Sequence, residues 1–241
     1  MFISPNIIIF AKRQILFNMK KAILSLLVIF ITTASVISAA NPVRFGVQAG
    51  VNLSFPADAE GELSTCAGFN VGPTVSYKFK GGWFVDGALL LTSKPWKSSW
   101  GYLMPSGNGH ELVPGSQTFI QNITPYYLEL PITVGYSFRM SRVANLFVGI
   151  GPYVSCGLGG ASKFTTVEAG KSDIKLDTGN PFEDGETGIH VKRFQAGGIA
   201  KCGVQVLDHY TFTASYQLQF NNMLPKRGHS QGLSLSFGYS F

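Results

Sequence analysis

The side chains able to do chemistry are few in this 241-residue sequence, and they are not gathered. Hydrolysis by a side-chain nucleophile needs an imidazole within hydrogen-bond reach of a hydroxyl or thiol, held in place by a third group. Of the four histidines, His110 and His190 fall in or beside long polar stretches, His229 lies near another, and His209 sits at a tight turn. None falls mid-segment beside a serine it could activate, and no carboxylate is placed to orient one. Cys66, Cys156 and Cys202 form neither a CxxC nor a metal-ligand spacing. One pair could bridge in an oxidising compartment, which leaves at least one thiol free in the monomer. Asp173, Asp177, Glu183, Asp184 and Glu186 make one stretch acidic, without the spacing of a calcium-binding loop. The expectation is a protein that is not an enzyme and has no cofactor and no metal site.

A second set of ionisable residues is more orderly. Arg44, Asp86, Glu129, Arg193 and Lys201 each fall on the small or polar side of a segment in which apolar and polar residues alternate. Alternation at period two marks β-strands, and the Gly scattered through every such segment argues against helix. Eight segments read this way, at about 43–54, 67–79, 82–94, 125–139, 143–158, 191–207, 209–222 and 231–241. In the last, Leu233, Leu235, Phe237, Tyr239 and Phe241 oppose Ser234, Ser236, Gly238 and Ser240. In the seventh, Phe212, Ala214, Tyr216 and Leu218 oppose Thr213, Ser215, Gln217 and Gln219. In the fourth, Leu128, Leu130, Ile132 and Val134 oppose Glu129, Thr133 and Gly135.

One face of each ribbon is thus bulky and apolar, the other small or polar. A soluble barrel turns its bulky side chains inward and needs a charged exterior, and only 13% of the residues are charged. The polar face therefore suits a narrow lumen better than a solvated surface. The apolar face then meets lipid, and closure satisfies every backbone N–H and C=O that the bilayer cannot. The expected fold is all-β, an eight-stranded antiparallel up-and-down transmembrane barrel over 41–241, with Tyr126-Tyr127, Trp83-Phe84 and Tyr239 to Phe241 at the membrane interfaces.

The N-terminal region supports export. Met19-Lys20-Lys21, the apolar run Ala22 to Ile37 and then Ser38-Ala39-Ala40 follow the order of a signal peptide. Residues 1–18 read as an extension ahead of the true start, 19–40 as the signal, with cleavage after Ala39 or Ala40. The rival reading is an uncleaved anchor, for which the apolar run is short of the roughly 20 residues a spanning helix needs. With Lys12, Arg13, Lys20 and Lys21 removed, 15 basic residues face 13 acidic ones, and the net charge falls from +6 to +2. A basic balance this small excludes nucleic acid as the expected partner.

Connection lengths give an independent check. In order they run 55–66, Lys80-Gly81, 95–124, Arg139 to Arg142, 159–190, Leu207 to His209 and 223–230, long alternating with short until the medium-length last. Short periplasmic turns and long external loops produce this pattern when the N-terminus is periplasmic.

Several segments, in order, resemble a known family. Phe45-Gly46-Val47-Gln48-Ala49-Gly50-Val51-Asn52-Leu53-Ser54, Tyr127-Leu128-Glu129-Leu130-Pro131, Gly151-Pro152-Tyr153-Val154 and the ending Leu233 to Phe241 resemble elements of the porin-family outer-membrane barrels of Bacteroidetes, the group that includes PorT-like proteins. The resemblance covers nearly all of 43–241. It implies an outer-membrane barrel of a Gram-negative bacterium and says little about activity. The alternating aromatics Phe237, Tyr239 and Phe241 also resemble the C-terminal signal read by the barrel-assembly machinery. Beside that machinery, the expected partners are outer-membrane lipid and lipopolysaccharide, with envelope or secretion-system proteins.

Charges buried in a narrow lumen must be paired. The interior set Arg44, Asp86, Glu129, Arg193 and Lys201 is therefore read first as an ion-pair network that plugs a structural or interaction barrel, whose external loops contact partners. A channel for small solutes is the alternative, and a lipid-modifying outer-membrane enzyme a weaker one.

Overall fold

The computed structural model describes residues 43–57, 62–105, 112–168, 174–182, 191–221 and 229–241. The 1–18 extension and the 19–40 signal lie outside the described residues, as do His110, His190, Asp173, Glu183, Asp184 and Glu186.

All the described regular structure is β. The strands are β1 (Val43–Ala57), β2 (Glu62–Lys78), β3 (Trp83–Ala88), β4 (Leu90–Ser93), β5 (Trp96–Pro105), β6 (Leu112–Arg139), β7 (Ala144–Glu168), β8 (Ile174–Gly179), β9 (Phe194–Val206), β10 (Tyr210–Gln219) and β11 (His229–Ser240). They form one sheet in which every pairing is antiparallel. β1 pairs with β2, and β2 in turn with β3, β4 and β5. These three pair with β6, β6 with β7, and β7 with β8 and β9. β9 pairs with β10, β10 with β11, and β11 with β1, the strand at which the path began.

Two features depart from the sequence reading, which had eight strands where eleven are described. The third expected segment, 82–94, is interrupted. Opposite Leu89, Pro73 has no N–H to offer the ladder, although Leu89 still donates to the Pro73 carbonyl at 3.0 Å. Pro95 ends β4, and β5 resumes beyond it. The stretches 95–124 and 159–190, read as loops, are strand over most of their described residues: β5 and the first part of β6 occupy one, the end of β7 and β8 the other. Phe119, Ile120, Ile123, Phe164, Thr165 and Thr166 are strong β-formers, and the β6–β7 ladder runs on through Gln117 opposite Glu168. Some 10 tilted residues cross a bilayer, and β6 and β7 have 28 and 25, so the ribbon continues well past it.

The tight turns show the expected chemistry. Gly81 and Gly82, between β2 and β3, have φ of 91° and 92°, a region only Gly enters freely. Between β9 and β10, Leu207 and Asp208 adopt φ of 53° and 59°, and His209 N donates to the Val206 carbonyl at 3.2 Å. That is the primed turn whose twist matches a hairpin. Between β6 and β7, Ser141 Oγ accepts from the backbone N–H groups of Val143 and Ala144 at 3.3 and 3.1 Å.

Candidate functional site

The pleat sorts the side chains into two faces. On one, Val51, Leu53, Leu130, Ile132, Val134, Phe212, Phe237 and many others stand exposed, reaching 69% for Ile150 and 64% for Leu235. A row of large apolar residues this exposed is stable only against another apolar phase. The free thiols of Cys156 and Cys202 also lie on exposed positions.

The opposite face encloses a cavity of about 150 Å³, and its two sides are built differently. On β1, β2, β10 and β11 much of the lining is small, with Ser54, Thr74, Ser76, Thr213, Ser215, Ser234 and Ser236 set among longer polar side chains such as Gln48, Asn70 and Gln217. On β3, β6, β7 and β9 it includes rings that sit against glycines of neighbouring strands. A Cβ on Gly135 would collide with the Phe84 ring, one on Gly203 with Phe147, and one on Gly197 with Tyr153. Small residues on one side leave the space that the rings fill on the other.

Charged and polar groups cross this space. Lys94, at the β4–β5 break, places Nζ 2.7 Å from Glu129 Oε2 on β6, with the Tyr153 ring centre 5.0 Å away. Glu129, 1% exposed, also accepts from Gln217 Nε2 of β10 at 2.6 Å. Nearer the tight turns, Lys201 of β9 pairs with Asp86 of β3, which also accepts from Thr133 Oγ1 of β6. Lys78 of β2 donates to Gln205 Oε1 of β9 at 2.6 Å. At the turn end itself, Arg44 Nη1 donates to the Asp208 carbonyl at 2.9 Å and lies 3.5 Å from its carboxylate.

At the other end the interior narrows to a buried cluster of Trp96, Ile123, Tyr127, Phe182 and Val191. Phe182 meets Tyr127 edge-on at 5.4 Å, and Val191 N donates to the Pro181 carbonyl at 3.0 Å. Below the cluster, Gln195 Nε2 of β9 donates to the Tyr127 hydroxyl of β6 at 2.7 Å.

Of the charges placed inside by sequence, Asp86, Glu129 and Lys201 come together with partners in the cavity lining, and Arg44 lies at its edge. Arg193 does not join them. It precedes β9, is exposed, and lies over the buried cluster, with its guanidinium 5.6 Å from the Phe182 ring and Nη1 donating to the Gly157 carbonyl at 3.4 Å. Its parity is inward, but the ribbon has already passed the cavity at that height. Sequence reading missed Lys94 and Lys78, although Lys94 lies eight residues from Asp86 and so on the same face. It also set Phe84 and Tyr127 in interfacial girdles. They are buried, and only their neighbours Trp83 and Tyr126 are exposed, at 56% and 37%. Phe237 and Tyr239 are exposed on the apolar face, and Phe241 N donates to the Phe45 carbonyl at 2.8 Å, joining the last residue to β1. His209 Nδ1 lies 2.8 Å from the Ser240 carbonyl, its ring stacked on Tyr239. A histidine so held packs a turn.

A polar, ion-paired interior behind a sheet with a bulky apolar outer face defines a β-protein that crosses a membrane. The model of the outer membrane protein beta-barrel domain matches residues 33–224, and the chain belongs to that family, residing in the outer membrane of a Gram-negative bacterium. Solved structures similar to it include Ail, the attachment invasion locus protein of Yersinia pestis, at 15% identity and TM-score 0.39 over 82% of this chain and 98% of that one. OprG of Pseudomonas aeruginosa is similar at 12% identity and TM-score 0.41 over 82% and 95%. Neisserial surface protein A is similar at 13% identity and TM-score 0.39 over 85% and 100%. No curated protein sequence matches the chain.

Proposed function

We propose that the chain closes as an up-and-down barrel of eight staves, with its tight turns in the periplasm, and that it does not conduct. In this reading β3, β4 and β5 make one stave, and β8 is an addition outside the membrane. The return of the pairing path from β11 to β1 supports closure.

The observation that carries the non-conducting reading is the set of bonds between strands that are not sheet neighbours: Gln217 to Glu129, Lys201 to Asp86, and Lys78 to Gln205. Each ties opposing walls across the space a solute would use, and the Trp96–Phe182 cluster stoppers the far end. A buried pair cannot part without leaving charges uncompensated, at several kcal/mol. The barrel then acts as a structural or interaction protein through its external ribbon. Its partners are lipopolysaccharide and surface, envelope or secretion-system proteins. The barrel-assembly machinery reads Phe237, Tyr239 and Phe241, and the chain resembles the PorT-like porin-family proteins of Bacteroidetes. We read it as no enzyme, in keeping with a His209 that is held by the Ser240 carbonyl and the Tyr239 ring.

A channel for small solutes is the second reading, favoured by the hollow of about 150 Å³ between the two walls. Planar-bilayer recording of protein purified from envelopes separates the two. Silent membranes with correctly folded protein are expected, and steady, reproducible conductance steps overturn the plug.

A further inference from the structure

We infer that one side of the tight-turn rim is a binding surface for anionic phospholipid of the periplasmic leaflet; this rests on the proposed orientation, with those turns in the periplasm. The surface spans two turns that meet across the β3–β6 ladder, where Trp83 pairs with Tyr136 and Ser137 N donates to the Gly82 carbonyl at 2.8 Å. Lys80 on the first turn, Arg139 at the end of β6 and Arg142 on the second turn are all exposed. Among the described residues none of the three has an acidic partner. This is unlike the neighbouring β9–β10 turn, where Asp208 engages both Arg44 and Lys78.

Just above these cations the apolar face carries an aromatic shelf. Tyr77 packs on Phe79 at 4.7 Å, Trp83 on Tyr136 at 5.4 Å and Tyr136 on Phe138 at 4.8 Å. Met140, at 68% exposed, extends the apolar surface past the end of the strand, between Arg139 and Arg142. Aromatic rings at headgroup level grip the glycerol and upper acyl region, and unpaired Lys and Arg just beyond them match a phosphate. A zwitterionic headgroup offers such a site no net charge. Beside the β9–β10 turn the aromatics Tyr210, Phe237 and Tyr239 stand near Arg44 and Lys78, cations that Asp208 already engages, so the unpaired cations lie on one side of the rim.

The test is the association of spin-labelled phosphatidylglycerol, relative to spin-labelled phosphatidylcholine, with protein purified from envelopes and reconstituted in phosphatidylcholine vesicles. Wild type is expected to favour the anionic probe by about fivefold, equivalent to about 1 kcal/mol, and to lose the preference in high salt. The variant K80Q/R139Q/R142Q should show equal association of the two probes, while K80R/R139K/R142K retains the preference. Heat-modifiable migration on gels reports that each variant is folded. If the glutamine variant does not fold, the salt titration on wild type and the charge-retaining variant decide instead. No preference in wild type, a preference untouched by salt, or full competition by soluble glycerophosphate overturns the inference. Orientation is read separately: labelling of S141C by an impermeant maleimide on intact cells shows that the topology, and not the lipid chemistry, is at fault.

Discussion

Removing the carboxylate of Glu129 is the most informative single change, because so much of the interior converges on it. In Glu129→Ala, the Lys94 ammonium keeps its buried place beside the Tyr153 ring but loses its counter-charge, and Gln217 Nε2 loses its acceptor. Breaking a buried pair from one side costs about 3–5 kcal/mol, and an orphaned buried amide adds about 1 kcal/mol. Water in the adjoining cavity can resolvate part of the ammonium, which brings the expected loss to about 3 kcal/mol. Glu129→Gln keeps an acceptor for Gln217 and should lose about 2 kcal/mol. Replacing both ends, as Lys94→Met with Glu129→Leu, removes the uncompensated charge and should return stability to within about 1 kcal/mol of wild type. Urea unfolding in phospholipid vesicles, followed by tryptophan fluorescence, gives all three values. A loss below about 1 kcal/mol for Glu129→Ala, or a double variant less stable than the single one, would refute the claim that a desolvated ion pair bridges the walls.

Three further outcomes follow from the same geometry. Ile150→Arg, at the most exposed apolar position described on β7, should lower stability in a bilayer by about 2–4 kcal/mol if that residue lies near the membrane midplane; unfolding in vesicles measures it, and a neutral result places Ile150 out of the hydrocarbon. Gly157→Ile drives a side chain into the Phe182 ring, which should lower stability by about 1–3 kcal/mol and red-shift emission from Trp96 as the stopper loosens; an unshifted spectrum means that the ring is not seated on Gly157. Leu207→Gly relieves a left-handed backbone at an exposed turn residue and should stabilise the hairpin by about 1 kcal/mol, seen as a higher urea midpoint; a lower midpoint would show that the Leu207 side chain contributes more than its backbone strain costs.

The two-faced alternation was legible because a membrane-facing strand must declare it: Leu233 to Phe241 and Tyr210 to Phe220 need only be read by parity. The same parity carries Asp86 through to Lys94, a step that sequence reading stopped short of at the Pro95 break. The extensions of β6 and β7 were hidden because a strand beyond the bilayer needs no apolar face, so Gln117 to Thr124 and Ala161 to Glu168 lack the two-residue alternation although both contain β-formers. Ring-on-glycine packing was equally hidden. Gly135, Gly197 and Gly203 read as weak strand residues, and only their register against Phe84, Tyr153 and Phe147 shows what each makes room for. Arg193 was misplaced because parity gives the direction of a side chain and not its height along the barrel.

A nitroxide scan along β10, from Phe212 to Gln219 with the native cysteines replaced by serine, tests most directly which face meets hydrocarbon. In outer-membrane vesicles, labels at Phe212, Ala214, Tyr216 and Leu218 should collide readily with oxygen and be shielded from a polar nickel reagent, while those at Thr213, Ser215, Gln217 and Gln219 should be immobilised and shielded from oxygen. Accessibility to oxygen that peaks at the odd-numbered positions, or that shows no two-residue period, would contradict the account.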